Sequence, residues 1–220
     1  RPDYLVTNSE TTRRRIQKFY GRDAKIIYPP VDLNFKVNNG FKKTEVPYFL
    51  AIGRLSKYKN FELLVRTFNK IKYPLVIVGT GMEERRLKSI AGENIIFKGN
   101  VSDGEKHKLL DGCLGLINPV VDEDFGIVPI EAMAHGKPVL AHKSGGHLET
   151  IIDGETGIFF EKADITSLSE RLLDFEQMIK NRKFDHEKIK AHAQKYSKER
   201  FKIEFENFVR EKWEEHARIS

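Results

Sequence analysis

The chain has 220 residues, 40% hydrophobic and 32% charged, with a formal net charge of +6; that is enough to bury one core and carry part of a second domain. No apolar run approaches the roughly 20 residues of a membrane-spanning helix, and no secretory leader is predicted. The positive charge suits phosphate-bearing ligands or an anionic membrane surface, but the basic residues are dispersed apart from Arg13-Arg14-Arg15, and no zinc-finger or stacked-aromatic pattern accompanies them, so nucleic acid is not an expected partner.

In chain order, the first expected unit is β-α-β: a strand over 4–8, a helix from Ser9 to Tyr20 and a strand over 25–28. Pro29-Pro30-Val31-Asp32 follows, then a polar, Gly-containing linker over 36–46. From 48 onward, short apolar runs alternate with helical patterns: strands over 48–53, 75–79, 94–99, 112–117, 138–142 and 157–160. That alternation predicts parallel β-α units, hence an α/β, doubly wound parallel sheet. Asn60 is placed to cap the first intervening helix, with Phe61, Leu64, Val65, Phe68 and Ile71 as its apolar stripe. Helices are expected over 83–91 and 102–111, the second opening on the capping-box pattern Ser102-Asp103-Gly104-Glu105. The sole cysteine, Cys113, reads as a small buried hydrophobe in a strand-like segment; it excludes an intramolecular disulfide and fits a cytosolic setting. The tail over 197–218 is an amphipathic helix whose Phe201, Phe205, Phe208, Val209 and Trp213 share one side, as a packing face.

Ligands of open α/β sheets bind outside the carboxyl ends of the strands. Five groups fall there: Gly53-Arg54-Leu55-Ser56-Lys57-Tyr58-Lys59, Gly79-Thr80-Gly81, Gly99-Asn100-Val101-Ser102-Asp103, Glu123 to Gly126, and Ser144-Gly145-Gly146. Together they predict one continuous cleft. Gly79-Thr80-Gly81 lacks the third glycine of a dinucleotide fingerprint, since Glu84 stands there; it reads as a tight turn that lets backbone approach a ligand. The run with most chemistry is Asp122-Glu123-Asp124-Phe125-Gly126, then Ile127 to Ile130, then Glu131-Ala132-Met133-Ala134-His135-Gly136-Lys137-Pro138-Val139. A helix starting near Gly126 puts Glu123 in the preceding loop and Glu131 on the helix, beside free N–H groups that attract polar or anionic ligands.

This run resembles the E-x-F-G-x-x-x-x-E-A-M-A-x-G-x-P-V signature of glycosyltransferase family 4, retaining enzymes of the GT-B fold that use nucleotide sugars. Gly53-Arg54-Leu55 with Lys59 resembles that family's G-R-L-x-x-x-K element, with Asn60 where glycine is commoner. The resemblance implies that Arg54 and Lys59 hold the donor diphosphate, that Glu123 contacts the donor sugar and that Glu131 binds the ribose hydroxyls. It also implies that the backbone of Phe125, Gly126 and Ile127 meets the sugar. Gly99-Asn100-Val101-Ser102-Asp103 with Lys106 resembles the family's base pocket; Asp103 and Lys106 match positions that reach guanine in some GDP-mannose users, although Asp103 also suits a first helical turn. Asp122-x-Asp124 superficially resembles the D-x-D metal site of a different transferase fold, but it lies inside a metal-independent signature, so no metal is expected. Gly145-Gly146-His147-Leu148-Glu149 resembles the family's G-G-x-x-E loop, and His147 is assigned no chemistry.

The chain is therefore expected to be the Rossmann-like, donor-binding half of a GT-B mannosyltransferase-like enzyme. Residues 1–35 would end the amino-terminal domain and cross over, 47–195 would bind the nucleotide sugar, and 196–220 would return as a helix. Opening on Arg1 within a strand-like stretch fits a piece of a longer protein. The implied reaction transfers a hexose, mannose from GDP-mannose first, to a glycan or lipid-linked acceptor, without a cofactor. The implied location is the cytoplasm, with peripheral membrane contact at its cytoplasmic face. A GT-B epimerase, a phosphorylase and a non-catalytic nucleotide-sugar sensor remain as alternatives.

Overall fold

The computed structural model describes residues 2–33, 35 and 46–219, so the linker expected over 36–46 lies outside the described residues except for Val46. The first unit is β1 (Val6–Thr7), α1 (Glu10–Tyr20) and β2 (Lys25–Ile26), the two short strands pairing in parallel. The second is β3 (Phe49–Ile52), α2 (Phe61–Ile71), β4 (Leu75–Val78), α3 (Glu84–Ile90), β5 (Ile95–Gly99), α4 (Asp103–Gly112), β6 (Leu116–Asn118), α5 (Ile127–Ala134), β7 (Val139–His142), α6 (His147–Thr150), β8 (Gly157–Phe160), α7 (Ile165–Lys180), α8 (His186–Ala193) and α9 (Lys198–Ile219).

Six strands form one parallel sheet in the order β5-β4-β3-β6-β7-β8. Central strands of such sheets are covered on both faces and read as unbroken apolar runs, and all of β4 is buried. Edge strand β5 instead exposes Ile96 while burying Ile95. In α2 the expected stripe packs inward: Phe61, Leu64, Val65 and Phe68 are buried, and Phe49 meets Phe68 edge-on at 6.1 Å. Phe68→Ala there would cost about 3–5 kcal/mol.

Three local expectations change. Asn60 makes no side-chain cap bond; it sits at φ +57° and its Nδ2 donates to the Pro119 carbonyl at 3.3 Å. Asparagine tolerates that left-handed conformation better than most residues, so the position needs backbone permissiveness more than a capping oxygen. The strand expected over 112–117 starts later, because Gly112 ends α4 and Cys113 is its buried C-cap. The apolar side of α9 is only partly covered: Phe205 is 41% exposed and Trp213 74%.

The β1-α1-β2 unit is fastened to the sheet domain through the crossing segment. Val31 N–H donates to the Tyr196 carbonyl at 2.8 Å, Arg200 Nη2 to the Tyr28 carbonyl at 2.8 Å, and Lys198 pairs with Asp32 at 2.5 Å.

Candidate functional site

The chain runs outward from β3 to β4 and β5, then returns to β6 on the other side of β3. That reversal is the switch point at which the loops leaving neighbouring strands part and leave a crevice. A cavity of about 350 Å³ lies there, with Gly53 and Lys59 on the β3 side and Glu123, Phe125, Gly126 and Ile127 on the β6 side. Asn8 and Pro29 of the first unit complete its wall.

Lys59 Nζ meets Glu123 Oε2 at 2.7 Å, and the two side chains are only 19% and 17% exposed. Glu123 is held from below by the loop after β7: its carbonyl accepts from Gly146 N–H at 2.7 Å, and Ser144 Oγ accepts from Asp122 N–H at 2.8 Å. Gly145 stands at φ +58°, where a Cβ would lie 2.3 Å from the Glu123 carbonyl oxygen. The loop after β4 braces the other side in the same way. A Cβ on Gly79 would fall 1.9 Å from the Gly53 carbonyl, and Leu55 N–H donates to the Thr80 carbonyl at 2.9 Å. The close approach those glycines permit is therefore loop on loop.

Helix α5 begins at the cavity, and Pro129 in its first turn has no N–H to leave unsatisfied. Glu131 projects from it to Lys106 of α4 at 2.9 Å, with the pair 19% and 22% exposed. Burial opposes the Lys106 charge, but Glu131 and then Asp103 outweigh it and raise the pKa above the ordinary lysine value. Asp103 reaches Lys106 at 3.4 Å while remaining 91% exposed, and Ser102 Oγ caps α4 by accepting from Glu105 N–H at 3.2 Å.

The expected residues thus fall into two clusters. Gly53, Lys59, Glu123, Phe125, Gly126 and Ile127 line the cavity; Asp103, Lys106 and Glu131 form a second, linked group along α4 and α5, with Val101 half-buried just before it. Arg54 belongs to neither, its side chain being exposed beside the first. Asp124 is paired with Arg15, whose other nitrogen donates to the Asp122 carbonyl at 3.1 Å. His147 is fully buried with Nδ1 3.0 Å from the His142 carbonyl. A carbonyl only accepts, so the proton is on Nδ1, and burial holds the pKa below the ordinary value. Its ring fills the space beside Gly126, with Cδ2 3.4 Å from where a Cβ would stand.

Sequence reasoning missed Asn8 and Pro29. The strand-end rule applied to the other loops finds Asn8 as well, since it directly follows parallel strand β1.

A parallel, doubly wound sheet with a cation–carboxylate pair at its switch point defines a Rossmann-like ligand-binding domain. The chain belongs to the glycosyl transferases group 1 family, whose model matches residues 34–198. It is 26% identical over 202 residues to an uncharacterized glycosyltransferase of Methanocaldococcus jannaschii, MJ1178, covering 90% of this chain and 56% of that protein. Against the alpha-1,3/1,6-mannosyltransferase ALG2 of Saccharomyces cerevisiae it is 31% identical over 204 residues, covering 68% of this chain and 40% of that protein. The chain spans about half the length of the relatives it matches. The fold is shared with Anabaena Alr3699/HepE, solved in complex with UDP, at a TM-score of 0.83 and 20% identity over 94% of this chain and 64% of that one. Among the described residues no helix is long and apolar enough to cross a membrane.

Proposed function

We propose that this chain is the donor-binding half of a retaining glycosyltransferase that moves a hexose, mannose first, from a nucleotide sugar to a glycan or lipid-linked acceptor. The observation that carries the reading is the Lys59–Glu123 pair at 2.7 Å on the switch-point cavity. A cation for a departing diphosphate and a carboxylate for sugar hydroxyls stand side by side. On donor binding Lys59 exchanges its carboxylate for a phosphate oxygen, and Arg54 adds the second cation from the adjacent loop. Both neutralise charge as the glycosidic bond breaks, which is where such groups accelerate transfer most. Glu131 accepts from the two ribose hydroxyls, and the backbone of Gly53, Phe125, Gly126 and Ile127 borders the sugar and phosphates.

Residues 47–195 are the nucleotide-sugar domain in this reading, and 1–35 and 196–220 are its connections to an amino-terminal domain that holds the acceptor. This chain alone therefore binds a nucleoside diphosphate and transfers no sugar. Asp124, engaged by Arg15, is not assigned to a metal, so chelators leave donor binding unchanged. The enzyme works in the cytoplasm, at the cytoplasmic membrane face when its acceptor is lipid-linked.

Guanine is the favoured base, since its N1–H and exocyclic amine can both donate to the Asp103 carboxylate, with Val101 and Lys106 alongside. The mannosyltransferase relatives support this; the UDP bound by the Anabaena protein supports uracil as the second reading. Competition between GDP and UDP decides. Tighter GDP binding, with the preference lost in Asp103→Ala, is expected. Tighter UDP binding overturns the guanine assignment, and binding of neither overturns the donor reading.

A further inference from the structure

Glu149 lines neither the cavity nor the Glu131 group, yet its carboxylate is fully engaged. Its Oε2 accepts from Glu10 N–H at 2.8 Å, and its Oε1 accepts from Thr11 N–H and Thr11 Oγ1, both at 3.0 Å. The Tyr28 hydroxyl reaches Oε2 at 3.4 Å. Glu149 thus satisfies two of the free N–H groups that open α1, from a position 139 residues away in the chain, and places a negative charge on the positive end of the helix dipole. Ser9 supplies the local cap, accepting from Thr12 N–H at 3.0 Å.

The residue before that cap is Asn8, which lines the cavity together with Lys59, Glu123 and Pro29. Its Oδ1 accepts from the Ser9 hydroxyl at 3.3 Å, which leaves the amide N–H groups for a ligand. Helix α1 also meets the Glu123 loop itself, through Arg15 and Asp124. Tyr28, beside Glu149, also stacks on Phe125 at 5.5 Å.

We propose that Glu149 is a positioning residue for the donor sugar: by capping α1 from the far side of the chain, it seats Asn8 and Pro29 as the second wall of the cavity, where the Asn8 amide donates to sugar hydroxyls. The proposal rests on the donor reading above. A neutral amide on that wall senses the sugar and leaves the diphosphate to Arg54 and Lys59. Loss of the cap therefore acts on the sugar nucleotide selectively.

The test combines amide hydrogen exchange at Glu10 and Thr11 with calorimetric affinities of this chain for GDP and GDP-mannose. In Glu149→Ala, exchange at both amides should rise about ten- to a hundred-fold, as expected for losing charge-assisted bonds. GDP-mannose should weaken about tenfold with GDP unchanged. Glu149→Gln retains one acceptor oxygen and should recover part of both effects. Asn8→Ala should reproduce the sugar-selective loss with exchange unaltered. Unchanged exchange in Glu149→Ala, equal losses for the two ligands, or a neutral Asn8→Ala overturns the proposal. Should Glu149→Ala fail to fold, Thr11→Val removes only the hydroxyl bond and must shift the same two readouts in the same direction. If the unaltered chain binds neither these two ligands nor UDP and its sugar nucleotide, the donor reading fails and takes the sugar role of Asn8 with it, while the exchange data still judge the cap. If it binds only the uridine pair, the same comparison is made with UDP and its sugar nucleotide.

Discussion

Glu123→Gln should tighten binding of a bare nucleoside diphosphate while weakening its sugar nucleotide. In the unliganded chain Lys59 is held by Glu123 at 2.7 Å, with both side chains less than a fifth exposed. Coulomb's law puts the raw attraction at about 6 kcal/mol for an effective dielectric of 20 and about 1.5 kcal/mol in water. Desolvation of both ions offsets much of that, and a charge-assisted hydrogen bond nets about 1.5–3 kcal/mol. A diphosphate that recruits Lys59 must first break this pair. Glutamine keeps the shape and removes the charge, so the competing hold should fall by about 1.4 kcal/mol, a tenfold gain in diphosphate affinity. The sugar nucleotide loses its carboxylate contact at the same time, and its affinity should fall by a similar factor. The substitution also leaves Lys59 half-enclosed without its partner, which costs about 1 kcal/mol and 2–4 °C in thermal midpoint. Isothermal titration of both ligands into both proteins is the assay. A diphosphate affinity that is unchanged or reduced in Glu123→Gln refutes the competition, and with it the placing of Lys59 at the phosphates.

Three further outcomes are expected. Arg54→Ala and Lys59→Ala should each weaken diphosphate about ten- to a hundred-fold and leave a nucleoside unaffected, by losing one charge-assisted bond; equal losses for nucleoside and diphosphate would point to misfolding. Gly145→Ala should destabilise the chain by about 2–4 kcal/mol, because it adds a Cβ 2.3 Å from a backbone oxygen in a left-handed conformation; a midpoint within a degree of the unaltered chain contradicts the described loop contact. Stability should also fall as pH drops below the ordinary histidine value of 6.5, since burial lowers the pKa of His135, His142, His147 and His192. The unfolded chain then takes up protons that the native state refuses, so the stability is complete above that value and is lost on acidification, by about 1.4 kcal/mol per pH unit for each histidine fully withheld. Equal thermal midpoints at pH 7 and pH 5 would exclude it.

The elements of this fold were legible as far as each carried its own pattern. The buried runs of β3, β4, β7 and β8 stand out because a parallel strand is covered on both faces. Where burial has another source the reading slips: Cys113 is as hidden as a strand residue, but it closes α4. At Asn60 the residue type suggested a side-chain cap, whereas the chain uses its tolerance of positive φ. In α9 the helical spacing is real, but periodicity says only that a face is apolar and cannot say what covers it. The spacing of the histidines along the chain is irregular and carries no pattern of its own. Folding brings His107 Nδ1 to 2.9 Å from His135 Nε2, whose other nitrogen lies 2.5 Å from Asp111, and Phe35 stacks on His135 at 3.9 Å.

The site divides along the same line. Glu123, Lys59, Glu131 and Lys106 could be singled out because each lies in a short run that resembles a motif of the family. That the first two pair, and that the last two pair, follows from the reversal of strand order between β3 and β6. Strand-end position alone does not reveal which loops will face each other; sheet order does. What Arg15 and Glu149 touch lay beyond reach for a stronger reason. Each acts across more than a hundred residues, Arg15 on Asp124 and Glu149 on the start of α1, and an arginine or glutamate in a polar stretch is by itself a solvated charge. Their meaning comes from the crossing segment, which lays the first unit against the loops of the second. A cavity closed by two units is therefore half visible in sequence, on the side where the strands alternate regularly. The other half depends on a docking geometry that no local pattern encodes.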